Sequence, residues 1–192
     1  MLAIIGLGNP DEKYLDTRHN AGFMVIDILS TRWKVKLRES FKHSVYTKKN
    51  IAGNEILLVK PITYMNRSGW AAKEIREKLE LFPEEFLIVY DDMDIPTENI
   101  RIRKQGSSGG HNGLQSILDE LGTSNVPRLR IGIDSPSYIE SGKDWVLSPV
   151  PPESQMAFER TIFTAADAVE TILREGYEKA MGKFNKKQKE DT

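Results

Sequence analysis

A chain of 192 residues, 39% of them hydrophobic and none of them cysteine, is long enough to bury one sizeable core without a disulfide staple. The missing thiols exclude a cysteine nucleophile and cysteine-based metal sites, and they suit a reducing compartment, so a cytoplasmic location is expected. A net charge of −1 gives no global pull toward polyanions, so any nucleic-acid contact has to come from local clusters.

The opening "MLAIIGLGNP" lacks a basic leader and breaks at Gly6, Gly8 and Pro10, which does not fit a signal peptide. No stretch approaches the roughly 20 apolar residues needed to span a bilayer. Instead "LAIIGLG" reads as a strand buried on both faces. A helical period follows from about Asn20 to Trp33, with Phe23, Ile26 and Trp33 on one side. "SVYTKKN" and "EILLVKP" flank "IAGN" as a hairpin, "MNRSGWAAKEIREKLEL" is a helix, and "EFLIVYDD" is a second buried strand that ends in acid. "NIRIRKQ" alternates as a strand, "GLQSILDELG" is a short helix closed by Gly122, and "RLRIGID" is another strand. After the "SPVPPES" loop, "QMAFERTIFTAADAVETILREG" is a long amphipathic helix, and the Lys-rich end frays into a solvated tail.

Strands alternating with helices predict an α/β fold: a single three-layer domain over 1–183 with a twisted, mixed, mostly parallel sheet flanked by helices, followed by the tail 184–192. In such sheets ligands bind beyond the carboxyl ends of the parallel strands. Asn9, Asn66 and Asp91 stand at three such exits, so they are expected to converge on one crevice.

Gly6 and Gly8 after a strand invite a dinucleotide reading, but Asp11 and Pro10 break the fingerprint where a phosphate needs free backbone N–H groups. His19, in "TRHNAGF", is by default a capping or packing residue; its alternative role is a general base, oriented by an acceptor such as Asp91. Asp91, Asp92 and Asp94 in "DDMDIP" suggest Mg²⁺ ligands or, equally, turn residues ahead of Pro96. "QGSSGGHNG" is either a flexible loop with Asn112 as N-cap or a helix entry whose donors receive an anion or an extended polar substrate. The pairs Arg101/Arg103 and Arg128/Arg130 each share a strand face, as solvated cations or as phosphate clamps. No strand-to-helix nucleophile elbow is read in the chain, so if the protein is a hydrolase its nucleophile is expected to be water.

In order, "GLGNP", "TRHNAG", "TYMNRSG", "YDDMDIP", "GSSGGHNGLQSI" and "RLRIGI" resemble bacterial-type peptidyl-tRNA hydrolases, over a span from Leu2 to about Lys183. The resemblance implies an enzyme that cleaves the ester between a peptide and the 3′ ribose of tRNA, without metal or cofactor, as a monomer whose partner is the tRNA acceptor end. It implies His19 as the base and Asp91 as its orienting acid. Asn9, Asn66 and Asn112 would bind the ester end, with Tyr14, Met65 and His111 lining the same crevice, and Arg101, Arg103 and Arg130 would meet tRNA phosphates. Tyr90 departs from the pattern, since some relatives carry His there. A non-catalytic RNA-binding protein on the same scaffold is the competing expectation, and a metal-dependent phosphohydrolase built on the three aspartates is a third.

Overall fold

The computed structural model describes residues 1–135 and 141–185. Most of the Lys-rich tail, 186–192, lies outside the described residues.

Seven strands form one sheet: β1 (Leu2–Gly6), β2 (Glu39–Ser40), β3 (Ser44–Ile51), β4 (Asn54–Pro61), β5 (Phe86–Asp92), β6 (Ile100–Arg103) and β7 (Arg128–Gly132). Their order is β2-β3-β4-β1-β5-β7-β6. The central four, β4, β1, β5 and β7, run parallel, while β3 pairs antiparallel with β4 and β6 antiparallel with β7. The expected hairpin turns on two residues, Ala52 (φ 52) and Gly53 (φ 81). Two positive φ values in a two-residue loop give the primed turn whose twist matches that of the flanking strands.

Helices cover both faces, because the parallel strands are apolar on both sides. On one face α1 (Ala21–Arg32), α5 (Pro152–Glu175) and α6 (Tyr177–Phe184) pack Val25, Ile26, Leu29, Ile162 and Val169 against Ile4, Leu58, Leu87 and Val89. On the other, α2 (Ser68–Leu79) and α3 (Asn112–Leu121) pack Ala72, Ile75, Leu114 and Ile117 against Ala3, Ile5, Val59 and Ile88. Successive residues of β1 therefore feed opposite cores, as a period of two requires. The short α4 (Gly142–Leu147) lies at the border of the first of these cores, with Trp145 and Val146 partly buried against it.

Element boundaries moved for local reasons. The "MNR" expected inside α2 is a separate 3-10 turn, Met65–Arg67, and Ser68 Oγ donates to Met65 O at the junction. Helix α5 starts at Pro152, three residues before the amphipathic pattern begins, since proline is preorganised for the first helical position. At the far end Asn185 donates to Ile102 O and accepts from Ile102 N, tying the chain after α6 to the edge strand β6.

One close approach places the catalytic candidates. A Cβ on Gly22 would collide with Val89 O and with the Leu7 amide, so α1 rests directly on the ends of β1 and β5 only because residue 22 has no side chain. Phe23 N donates to Leu7 O at 3.1 Å across the same contact. The turn before α1, which carries His19, is thereby set over the strand exits.

Candidate active site

The cleft beyond the carboxyl ends of β1, β4 and β5 has a volume of about 520 Å³. Asn9, Tyr14, His19, Met65, Asn66, Asp91, His111 and Asn112 all line it, so the eight residues expected at the site converge there.

His19 belongs to the 3-10 turn Arg18–Asn20 and is buried, with 8% of its surface exposed. Its Nδ1 lies 3.0 Å from Asp91 Oδ1 and 2.9 Å from Oδ2. Burial on its own would raise the Asp91 carboxyl, but the charge and hydrogen bonds of His19 and His111 outweigh it and hold the carboxyl well below the usual carboxylate range. An ionised carboxylate only accepts, so Nδ1 carries the proton and donates it. The lone pair is then left on Nε2, at the opposite edge of the ring.

His111 shares this carboxylate. Its Nδ1 accepts from Leu114 N at 3.2 Å, which leaves the proton on Nε2, 3.1 Å from Asp91 Oδ1. His111, and not Asn112, is thus the N-cap of α3; imidazole is not among the common capping residues, which is why composition pointed to the asparagine. Tyr90 packs beside it with ring centroids 4.7 Å apart, and burial pushes the Tyr90 hydroxyl up to about 12.

Among the described residues, His19, Asp91 and His111 form the one group with metal-like spacing. Their hydrogen bonding argues against that use: a cation on His111 Nε2 would drive the proton to Nδ1 and break the cap on Leu114. Asp92 and Asp94 also border the cleft but do not join this group. Asp92 accepts from Asp94 N through Oδ1 and from Arg130 Nε through Oδ2, at 2.9 and 2.6 Å. This is the turn arrangement, and of the two readings of Asp91, Asp92 and Asp94 it favours turn residues over a shared cation site.

Asn9 is held on three sides. Its N donates to Asn20 Oδ1 at 2.8 Å, its O accepts from Asn20 Nδ2 at 3.1 Å, and its Oδ1 accepts from Met65 N at 2.9 Å. That fixes the amide with Nδ2 as the group left over. Asn66 and Asn112 are exposed on the cleft wall, from the turn Met65–Arg67 and from the first residue of α3.

The arginines divide. Arg101 pairs with Arg130 and Arg103 with Arg128 across β6 and β7, which puts all four on one face at the sheet edge. Arg103 is exposed, Arg101 is half-buried, and Arg130 is bridged to Asp92. Arg128 is no phosphate clamp: it is 2% exposed and donates to Val126 O, Gly106 O, Ser107 O and Ser124 O, anchoring the Gly-rich loop.

The sequence alone does not single out Arg18 or Asn20, and it offers Arg128 only as a solvated cation or phosphate clamp. Arg18 and Asn20 flank His19 in "TRHN", and that adjacency is the available signal; their burial is seen only in the structure.

Comparison with known proteins follows the same lines. The family model described as peptidyl-tRNA hydrolase matches residues 3–192. A peptidyl-tRNA hydrolase of Brevibacillus brevis is 42% identical over 185 residues, covering 96% of this chain and 98% of its own. That of Bacillus subtilis is 40% identical, covering 97% and 100%. The crystal structure of the peptidyl-tRNA hydrolase from Acinetobacter baumannii superposes with a TM-score of 0.90 at 35% identity, over 96% of this chain and 94% of that one. With a family match along almost its entire length and relatives covered end to end, the chain belongs to the peptidyl-tRNA hydrolase family.

Proposed function

We propose that the chain hydrolyses the ester joining a peptide to the terminal ribose of tRNA, with His19 as general base and water as nucleophile. The single observation that carries this mechanism is the His19 Nδ1 to Asp91 contact, 2.9 Å to Oδ2, at the wall of an open cleft. It fixes the tautomer that a base needs.

A water hydrogen-bonded to His19 Nε2 gives up a proton as its oxygen attacks the ester carbonyl carbon. The tetrahedral oxyanion that forms is met by side-chain amide donors of Asn9, Asn66 and Asn112. The C–O bond to the ribose then breaks, and the imidazolium returns its proton to the departing ribose oxygen. The products are a tRNA with a free terminal hydroxyl and a peptide carboxylic acid, which releases its proton to solvent as the carboxylate. General base catalysis supplies about 10²- to 10⁴-fold, and the oxyanion donors add to it. A ribose alkoxide is a far better leaving group than the nitrogen anion of a peptide amide, so neither a covalent intermediate nor a cofactor is required.

Tyr14, Met65 and His111 shape the pocket for the acyl end. Arg101, Arg103 and Arg130 lie along one sheet edge beside the cleft, in a position to take acceptor-stem phosphates. Among the described residues no helix is long and apolar enough to cross a membrane. We place the enzyme in the cytoplasm as a monomer. The test is to incubate the purified protein with N-blocked aminoacyl-tRNA in the presence of a chelator: free tRNA accumulates on this reading, whereas release only when a metal is added back contradicts it.

A further inference from the structure

One wall of the cleft is made by α4 and the residue after its start: Gly142, Lys143, Val146 and Leu147 line the cavity. Helix α4 has six residues and none is fully buried; only Trp145 and Val146 pack partly against the core beneath α1 and α5, and Trp145 Nε1 donates to Ile133 O and Asp134 O. At its C-terminal end the polar attachments converge on one side chain.

Arg18 is 4% exposed and sits directly before His19. Its Nη1 donates to Ser148 Oγ at 2.6 Å, to Pro149 O at 3.1 Å and to Ser148 O at 3.3 Å. The guanidinium plane also lies over the Trp145 ring, 3.7 Å from its centroid. Around it the backbones close the seam: Arg18 N donates to Ser148 O, Val150 N to Asp16 O, and Thr17 bridges Pro149. None of its hydrogen-bond partners is a carboxylate. A buried cation whose direct contacts among the described residues are dipoles and a ring is an expensive arrangement: burial lowers the guanidinium from its ordinary value, and the charge of Asp134 offsets that only in part. A neutral side chain would suffice if the site only had to be filled.

We infer that Arg18 is a positioning residue for the proposed reaction: it clamps the α4 wall over the cleft, so that Val146, Leu147 and Lys143 meet substrate at a fixed distance from the His19 that follows it. One guanidinium nitrogen, Nη1, makes all of these hydrogen bonds while the group lies over the Trp145 ring, and that combination is what the job needs. Lysine supplies the charge but no stacking face. Because the wall touches substrate and not the His19–Asp91 pair, loss of the clamp acts on binding and leaves the proton transfer alone.

This rests on the hydrolase reading for its kinetic arm only. The experiment compares wild type, Arg18→Ala, Arg18→Lys and Ser148→Ala by hydrogen exchange of the amides of 142–150 and by steady-state cleavage of N-blocked aminoacyl-tRNA over a range of pH. We expect faster exchange confined to 142–150 in all three variants, with KM raised about tenfold or more in both Arg18 variants and by less in Ser148→Ala. We also expect kcat within about threefold of wild type and an unmoved acid limb of the rate profile. Wild-type exchange behaviour in Arg18→Lys overturns the clamp, as does a fall in kcat at constant KM or a displaced acid limb. If Arg18→Ala does not fold, Arg18→Lys and Ser148→Ala decide alone. A wild type that exchanges as expected but cleaves nothing refutes the hydrolase reading and leaves the clamp standing.

Discussion

His111 and His19 donate to the same carboxylate: Nε2 of the first lies 3.1 Å, and Nδ1 of the second 3.0 Å, from Asp91 Oδ1. The two imidazoles are 5.0 Å apart by ring centroid, yet their tasks differ. His111 has both nitrogens occupied, by Leu114 N and by Asp91, so it cannot take a proton from water without giving up a bond. His19 keeps one nitrogen free. Hydrogen-bond accounting, not proximity to the cleft, is therefore what supports His19 over His111 as the proposed general base.

Replacing His111 separates structure from catalysis. His111→Ala removes the cap of α3 and is expected to cost about 1 kcal/mol, read as a shift of the urea midpoint at constant slope. His111→Asn retains an acceptor for the cap and should recover most of that stability. Both variants should still lose turnover, because Asp91 has lost one of its two donors. Full activity in His111→Asn would mean that this donor is dispensable.

Asp91 makes acid stability a direct readout. Burial raises its carboxyl and the two imidazoles lower it, with a net result well below the usual range. A lowered carboxyl favours the folded state at every pH above the ~3.9 of an unfolded aspartate, and that contribution disappears as pH falls through the folded-state value. Asp91→Asn should therefore flatten the acid limb of the stability curve below about pH 4. It should also cut turnover on the order of 10²- to 10⁴-fold by releasing the His19 tautomer. An unchanged acid limb would detach the carboxylate from the fold.

Charge at the sheet edge gives a prediction in the opposite direction. Arg103→Ala should weaken binding of deacylated tRNA, reduce the slope of log affinity against log salt by about one, and spare cleavage of a minimal N-blocked aminoacyl-nucleoside ester. Arg130 is already engaged by Asp92 at 2.6 Å. Asp92→Asn frees that guanidinium and should tighten tRNA binding at low salt. Equal losses on tRNA and on the minimal ester in Arg103→Ala would place this residue in the chemistry and not on the nucleic acid.

Gly22→Ala tests how the site is seated. Its new methyl group would collide with backbone on two strands, Val89 O and Leu7 N, neither of which is free to swing away. We expect a loss of more than about 3 kcal/mol by denaturant unfolding, since overpacking against rigid atoms exceeds the common 1–3. Near-normal stability would mean that α1 can lift off the sheet.

Much of this was legible in the sequence because the signals were local. Continuous apolar runs marked β1 and β5, the hairpin turn carried Gly53, and Asn9 and Asp91 stood at strand ends, so their convergence followed from the rule for open α/β sheets. What stayed hidden was long-range. Nothing in "RLRIGI" separates Arg128, spent on four backbone carbonyls, from Arg130 two residues on, because both share a strand face and only the course of the Gly-rich loop distinguishes them. The hold of Arg18 on residues 145–149 likewise depends on a segment far away in the chain, whereas the cap by His111 is local and was missed because imidazole is an uncommon capping group.

The most direct measurement is single-turnover release of N-blocked amino acid from tRNA by wild type and by His19→Ala, with circular dichroism and melting followed on the same samples. A fall on the order of 10²-fold or more with an unchanged fold is what a single imidazole base predicts. Turnover within a few-fold of wild type in the folded variant would contradict it.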